Sequence, residues 1–216
     1  MSDGSIDVSE MFAVHDAMRK EYGSMPLLVK SIAEGDSDRA AVITEHVHLM
    51  GRLMHVHHQG EDELLWPLVQ QRAPEHEAVF VMDAEHAELN AELSQIAQLA
   101  DAWSADPSGA NRASLHTALI VFEKRLLKHL GHEERELLPL LASTVTQEEF
   151  AALGAYVRDA LPADQRTVLL SLIIDDTTPS LRDAMLDAMD PAARSAFEES
   201  GRPIARAYRD RLYSMS

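Results

Sequence analysis

Two segments of this chain, 72 residues apart, carry the same arrangement of groups able to hold a cation. His57 and Glu61 stand four residues apart, and so do His129 and Glu133. Residues at i and i+4 lie one above the other on a helix face, so each His/Glu pair would point one way. The match runs from Leu53 to Pro67 against Arg125 to Pro139, with Asp62 falling on Glu134 and Pro67 on Pro139. Upstream histidines extend it, because His15 precedes His57 by 42 residues and His86 precedes His129 by 43. The chain reads as a duplicated helix pair. Each copy supplies one histidine from its first helix and a His-x-x-x-Glu from its second.

All six residues fall on apolar stripes, so four imidazoles and two carboxylates would converge inside a helix bundle. Buried carboxylates without partners are very costly, and such a set is tolerable mainly if it holds cations. Four histidines and two glutamates suit a pair of octahedral transition metals, two histidines to each, with both carboxylates bridging. Nitrogen and oxygen donors without sulfur fit iron best, with manganese or zinc as alternatives. Bridged metals of this kind sit roughly 3.5–4 Å apart.

Two further registers share the spacing, His58-x-x-x-Asp62 and His132-x-x-x-Glu136. His58 aligns with Leu130 and His132 with Gly60, so neither is duplicated. Both are expected outside the ligand set, beside ligands or facing solvent. His46, His48, His55, His76 and His116 are expected at the surface or in hydrogen bonds. Met18, Met50, Met54 and Met82 are expected to pack around the site, as adaptable core residues do. Tyr22, two turns from His15 on its stripe, is a candidate ligand or hydrogen-bond donor there.

The positioning elements are four long helices, each with apolar residues in alternating three- and four-residue steps. The first starts after Ser9 and ends near Gly35-Asp36. The second runs from about Ser37 to Leu65-Trp66-Pro67, and the third from Pro74, through Val79 and Met82, to about Ala100. The fourth follows Asp106-Pro107-Ser108-Gly109 and carries Leu115 through Leu140. No segment alternates like a strand. Short loops between long helices favour an all-α, antiparallel up-down-up-down four-helix bundle over residues 1–144. Residues 145–216 read as a helical extension packed on the bundle. Thr146-x-x-Glu149 is a capping-box pattern, Thr178-Pro179 and Asp190-Pro191 are helix starts, and Gly201-Arg202-Pro203 should break the last stretch. The basic end, Arg202, Arg206, Arg209 and Arg211, reads as a solvated or docking face.

Composition narrows the chemistry further. Across 216 residues, 19 Lys+Arg face 36 Asp+Glu, a formal charge of −17. That balance disfavours nucleic acid and anionic lipid as partners. With no cysteine, thiol catalysis, iron–sulfur clusters and thiolate zinc sites are excluded. No apolar run approaches the roughly 20 residues of a membrane span. The first residues have neither the basic nor the apolar region of a signal peptide, so a cytoplasmic protein is expected.

The pattern resembles the hemerythrin family, in particular the bacterial hemerythrin-like domains named for their His-His-Glu motif. The resemblance covers about residues 9–142. Its carriers are His15-Asp16, His57-x-x-x-Glu61 with Leu64-Leu65-Trp66-Pro67, His86, and His129-x-x-x-Glu133 with Leu137-Leu138-Pro139. It implies a bundle enclosing a non-haem di-iron centre with an oxo or hydroxo bridge, held by His15, His57, Glu61, His86, His129 and Glu133. The roles it implies are binding or turnover of a small oxidant (hydrogen peroxide, dioxygen or nitric oxide), or iron handling or redox sensing without turnover. A protein partner for the C-terminal helices is not specified by any motif. The oxygen carriers of the family have two histidines, four apart, on the third helix, whereas His86 stands alone, with Met82 four residues before it. The carriers also place their last carboxylate, an aspartate, five residues after its histidine, where this chain has Glu134. With one histidine fewer, the two metals are expected to be nearly equivalent, which argues against reversible oxygen carriage.

Overall fold

The computed structural model describes residues 6–76 and 78–214; the stripe position Val79 keeps only its backbone, its side chain lying outside the described residues. Among the described residues every regular element is helical. Four long helices, α1 (Ser9–Ser31), α2 (Ser37–Gly60), α4 (Ala78–Ala105) and α5 (Gly109–His132), form a closed ring. In it α1 touches α2 and α5, and α4 touches α2 and α5. Asp36 caps α2 by accepting from the Arg39 amide, and Ser108 caps α5 through Asn111. Between α1 and α2 the chain turns at Gly35, whose φ of 87° is a left-handed value that favours glycine.

The third long helix starts at Ala78, not at Pro74 as its sequence led us to expect. Pro74 instead occupies the second position of a turn closed by the His76 amide donating to the Ala73 carbonyl at 3.0 Å. A proline with fixed φ and no N–H suits that position as well as a helix start.

Helices α2 and α5 do not stop at the carboxylates. Each continues through one π-helical turn, Glu61–Leu65 and Glu133–Leu137, into α3 (Trp66–Arg72) and α6 (Leu138–Thr144). The Trp66 amide donates to the Glu61 carbonyl and the Leu138 amide to Glu133, five residues back in each case. The cause lies one residue further on. Pro67 and Pro139 lack the N–H of a regular turn, and their rings would collide with the carbonyl four residues earlier. Widening one turn to π geometry relieves the clash without ending the helix. The same device acts at Pro203, where the turn Phe197–Gly201 joins α10 (Pro191–Ala196) to α11 (Arg202–Tyr213). The expected break at Gly201-Arg202-Pro203 is therefore a continuous helix.

The remaining elements are α7 (Gln147–Ala160), α8 (Ala163–Asp176) and α9 (Pro179–Ala188). Thr146 and Glu149 form the expected capping box, and Thr178 and Asp190 cap the helices that begin with proline. Helix α7 packs on α2, α8 and α9 on α1, and α11 on α2 and α8.

Docking of α8 and α11 centres on a buried ionic cluster. Glu21 of α1, fully buried, lies 3.1 Å from Nε2 of buried His46 and 3.7 Å from Arg209 of α11. Arg209 also pairs at 2.8 Å with Asp176, which Lys20 contacts as well. The Tyr208 hydroxyl completes the group at 2.7 Å from His46 Nδ1. Burial pushes Glu21 up, but His46, Asp176 and the charge of Arg209 together outweigh it and hold the carboxyl below the ordinary range. Of the four basic residues at the end of the chain, Arg209 is thus a docking contact with the protein's own bundle. Removing one partner of a buried pair strands the other charge. Arg209→Met should cost about 3 kcal/mol of unfolding free energy; a chemical-denaturation midpoint equal to wild type would contradict this account of how the tail is held.

Candidate metal centre

Each long helix brings at least one histidine to the same level of the bundle, and apolar packing fixes that level. One apolar cluster contains Met18, Met54, Leu89 and Leu126; a second contains Met11, Leu65, Met82 and Leu137. On every long helix the histidine lies between a residue of one cluster and a residue of the other. His15 sits between Met11 and Met18, His57 between Met54 and Leu65, His86 between Met82 and Leu89, and His129 between Leu126 and Leu137. The histidines therefore form a polar layer between two apolar floors.

The six residues singled out by spacing all converge in this layer. His15, Glu61 and Glu133 are fully buried, and His57, His86 and His129 are no more than 2% exposed. The carboxylates link the two halves of the duplication. Glu61 Oε1 is 3.2 Å from His57 Nε2, while its Oε2 is 3.6 Å from His86 Nε2. Glu133 Oε2 is 3.5 Å from His15 Nε2 and 3.8 Å from His129 Nε2. Each carboxylate thus reaches one histidine of the α1–α2 pair and one of the α4–α5 pair.

The inward atoms are left over. Nε2 of all four histidines and both oxygens of Glu61 and Glu133 are buried without a hydrogen-bond partner. Three of the four outward atoms are satisfied. His15 Nδ1 donates to Glu134 at 2.9 Å, His86 Nδ1 to Asp62 at 2.7 Å and His129 Nδ1 to Glu85 at 3.1 Å. Burial pushes Glu134 up, but hydrogen bonds from His15 and Arg19 bring its pKa down to about 2, so it is an ionised acceptor. Glu85 likewise lies below its usual range through His129 and His132, against the effect of burial. An imidazole whose Nδ1–H is committed to a carboxylate presents a lone pair at Nε2, the arrangement that orients a metal ligand.

Electrostatics at the centre follow from crowding. Burial, and then the neighbouring imidazoles, hold His57 and His58 far below the ordinary histidine value. Burial also lowers His129, against the pull of Glu133. Burial raises Glu61 well above the carboxylate range, and the nearby Glu133 raises it further. Carboxylates and imidazoles crowded into one buried layer are what a positive charge would stabilise.

His58 was expected beside the ligands or facing solvent, and it lies beside them, away from solvent. It is fully buried, with its ring stacked on His86 at 4.0 Å between centroids. The cation-binding atoms of His58, His86 and His129 lie within 4.8 Å of one another, as do those of His15, His57 and Glu61. The sequence signal was present in the unduplicated His58-x-x-x-Asp62 spacing. His132, by contrast, stays partly exposed and lies 3.4 Å from Glu85. Met18, Met50, Met54 and Met82 are fully buried. Tyr22 is buried with its ring against Phe122 at 5.0 Å, and its hydroxyl has no partner.

The tail covers the end of the bundle that carries the π turns. Phe150 and Leu153 of α7 belong to the apolar cluster of Leu65, Trp66, Leu137 and Leu138. A Cβ at Gly60 would come within 2.5 Å of Leu153, so the glycine permits this approach.

An all-helical chain with buried His/Glu groups linked by two shared carboxylates is the architecture of a helical cation-binding domain. The hemerythrin HHE cation binding domain model matches residues 7–141, and the chain belongs to that family. Comparison with curated proteins and with solved structures gave no match.

Because burial, and then Glu133, push Glu61 up, ionising it in the cation-free fold costs stability. That cost grows as pH rises above the unfolded carboxylate value and on through the folded one. Glu61→Gln should therefore melt at or above wild type in chelator at about pH 8, with the margin shrinking toward about pH 4. A wild type that outmelts the variant at every pH would contradict this reading of the layer.

Proposed function

We propose that this protein holds two iron ions through His15, His57, Glu61, His86, His129 and Glu133 and uses them on a small oxidant. The observation that carries the reading is the set of eight inward atoms, four Nε2 and four carboxylate oxygens, buried without hydrogen-bond partners. Mixed imidazole and carboxylate donors without sulfur favour iron, with manganese or zinc as alternatives. Bound there, such ions supply Lewis-acid and redox chemistry toward hydrogen peroxide, dioxygen or nitric oxide. The chain's own part is to bridge with Glu61 and Glu133 and to fix ring orientation through Glu134, Asp62 and Glu85. The apolar floors above and below exclude bulk water.

The long helices are read as an antiparallel up-down-up-down bundle over residues 1–144. Supporting this, α1 and α4 run from the Met11/Met82 cluster toward the Met18/Leu89 cluster, while α2 and α5 run the other way. Residues 145–216 are read as an appended helical unit. The charge of −17 and the lack, among the described residues, of any helix long and apolar enough to cross a membrane favour a cytoplasmic protein without nucleic-acid or membrane partners.

A second reading, an iron or redox sensor or an iron-handling module without turnover, is favoured by one observation. Helix α7 packs directly on the π turn that begins at Glu61, so a change at that carboxylate would reach the tail.

The test is optical and proteolytic. The iron-loaded, oxidised protein should change its absorption bands on adding azide or hydrogen peroxide; unchanged bands would contradict an accessible oxidant site. If bands change but peroxide is not consumed, and protease cutting within residues 145–216 depends on oxidation state, the sensing reading prevails.

A further inference from the structure

We infer that His58 is a seventh donor of the centre and makes its two cation positions unequal. The inference rests on the two-ion reading above and goes beyond its six ligands. His58 is fully buried, and neither of its ring nitrogens has a hydrogen-bond partner. Other buried or half-buried histidines do find partners, as His46 does in Tyr208 and His132 in Glu85. What surrounds His58 instead is the centre itself. It stacks on His86 with planes 8° apart and meets His129 edge-on at 5.1 Å between centroids. With those two it forms a three-histidine group whose ligand atoms all lie within 4.8 Å.

Helix geometry explains how neighbouring residues serve opposite halves. His57 and His58 are about 100° apart around α2. His57 lies with His15 and Glu61, while His58 lies with His86 and His129. The next turn repeats the division, because Glu61 faces His57 and Asp62, four residues after His58, accepts from His86 Nδ1 at 2.7 Å. One face of α2 thus serves one position, and the adjacent face serves the other.

With Glu61 and Glu133 shared, His58, His86 and His129 bring the protein donors at one position to five. His15 and His57 bring the other to four. In six-coordinate ions of this donor class, the His15/His57 position keeps one more exchangeable site, and a small anion or diatomic ligand binds there. The near-equivalence expected from a lone histidine on α4 is removed by a histidine on α2.

The experiment is Mössbauer spectroscopy of protein loaded anaerobically with iron-57 and then oxidised, on wild type, His58→Leu and His58→Gln. Wild type should hold about two irons per chain and give two unequal quadrupole doublets of equal area. In both variants one doublet should shift or disappear while the other stays, with iron falling toward one per chain if it disappears. Variant spectra superimposable on wild type, or one doublet shared by both wild-type irons, would overturn the role of His58 and leave two-ion binding standing. A wild type that takes up no iron would instead overturn the two-ion reading. Thermal melts guard against misfolding. Cation-free His58→Leu should melt at or above wild type yet gain less than wild type on iron loading, and an equal gain would overturn the inference.

Discussion

The structure depends on one unfavourable arrangement, a layer of imidazoles and carboxylates sealed between two apolar clusters with their inward atoms unpartnered. In a cation-free bundle this layer opposes folding, because Glu61 and Glu133 repel and the buried imidazoles resist protonation. The surrounding packing must overcome that cost, and both clusters contribute to it. Met18, Tyr22, Met50 and Phe122 lie on one side, and Leu65, Trp66, Leu137 and Leu138 on the other, all essentially without exposure. Cation binding converts the same atoms from a liability into a source of stability, as metal binding coupled to folding does generally.

Proline placement shapes the boundary of that layer. Pro67 and Pro139 each follow a π turn whose first residue is Glu61 in one half and Glu133 in the other. The glutamate amides still donate back to His57 and His129, so the i, i+4 spacing survives up to the carboxylate. Beyond it, the widened turn carries Leu65 and Leu137 into the second apolar cluster, which α7 then covers. The third π turn, before Pro203, lies away from the histidine layer and also precedes a proline by two residues, whereas Pro26 sits inside α1 without one.

Much of this was legible in the sequence because duplication is an internal control. A single His-x-x-x-Glu on a helix is weak evidence, whereas two at an offset of 72, each preceded by a histidine at a matching distance, point to convergence. His58 escaped the same logic because it has no counterpart at Leu130. Its burial also depends on contacts a stripe on α2 does not encode, with His86 and His129 on other helices and with α7 closing over Gly60. The turn at Pro74 and the continuous helix through Pro203 were misjudged for a related reason. Local proline rules allow either outcome, and the packing of neighbouring helices selects one.

The central claim is that Glu61 and Glu133 are shared between two cations. Anomalous scattering at the iron edge from crystals of the iron-loaded protein tests it most directly. The account requires two peaks roughly 3.5–4 Å apart, one beside His15 and His57 and the other beside His86 and His129, both within bonding distance of the two glutamates. A single peak, peaks away from this layer, or no peak after iron loading would contradict it.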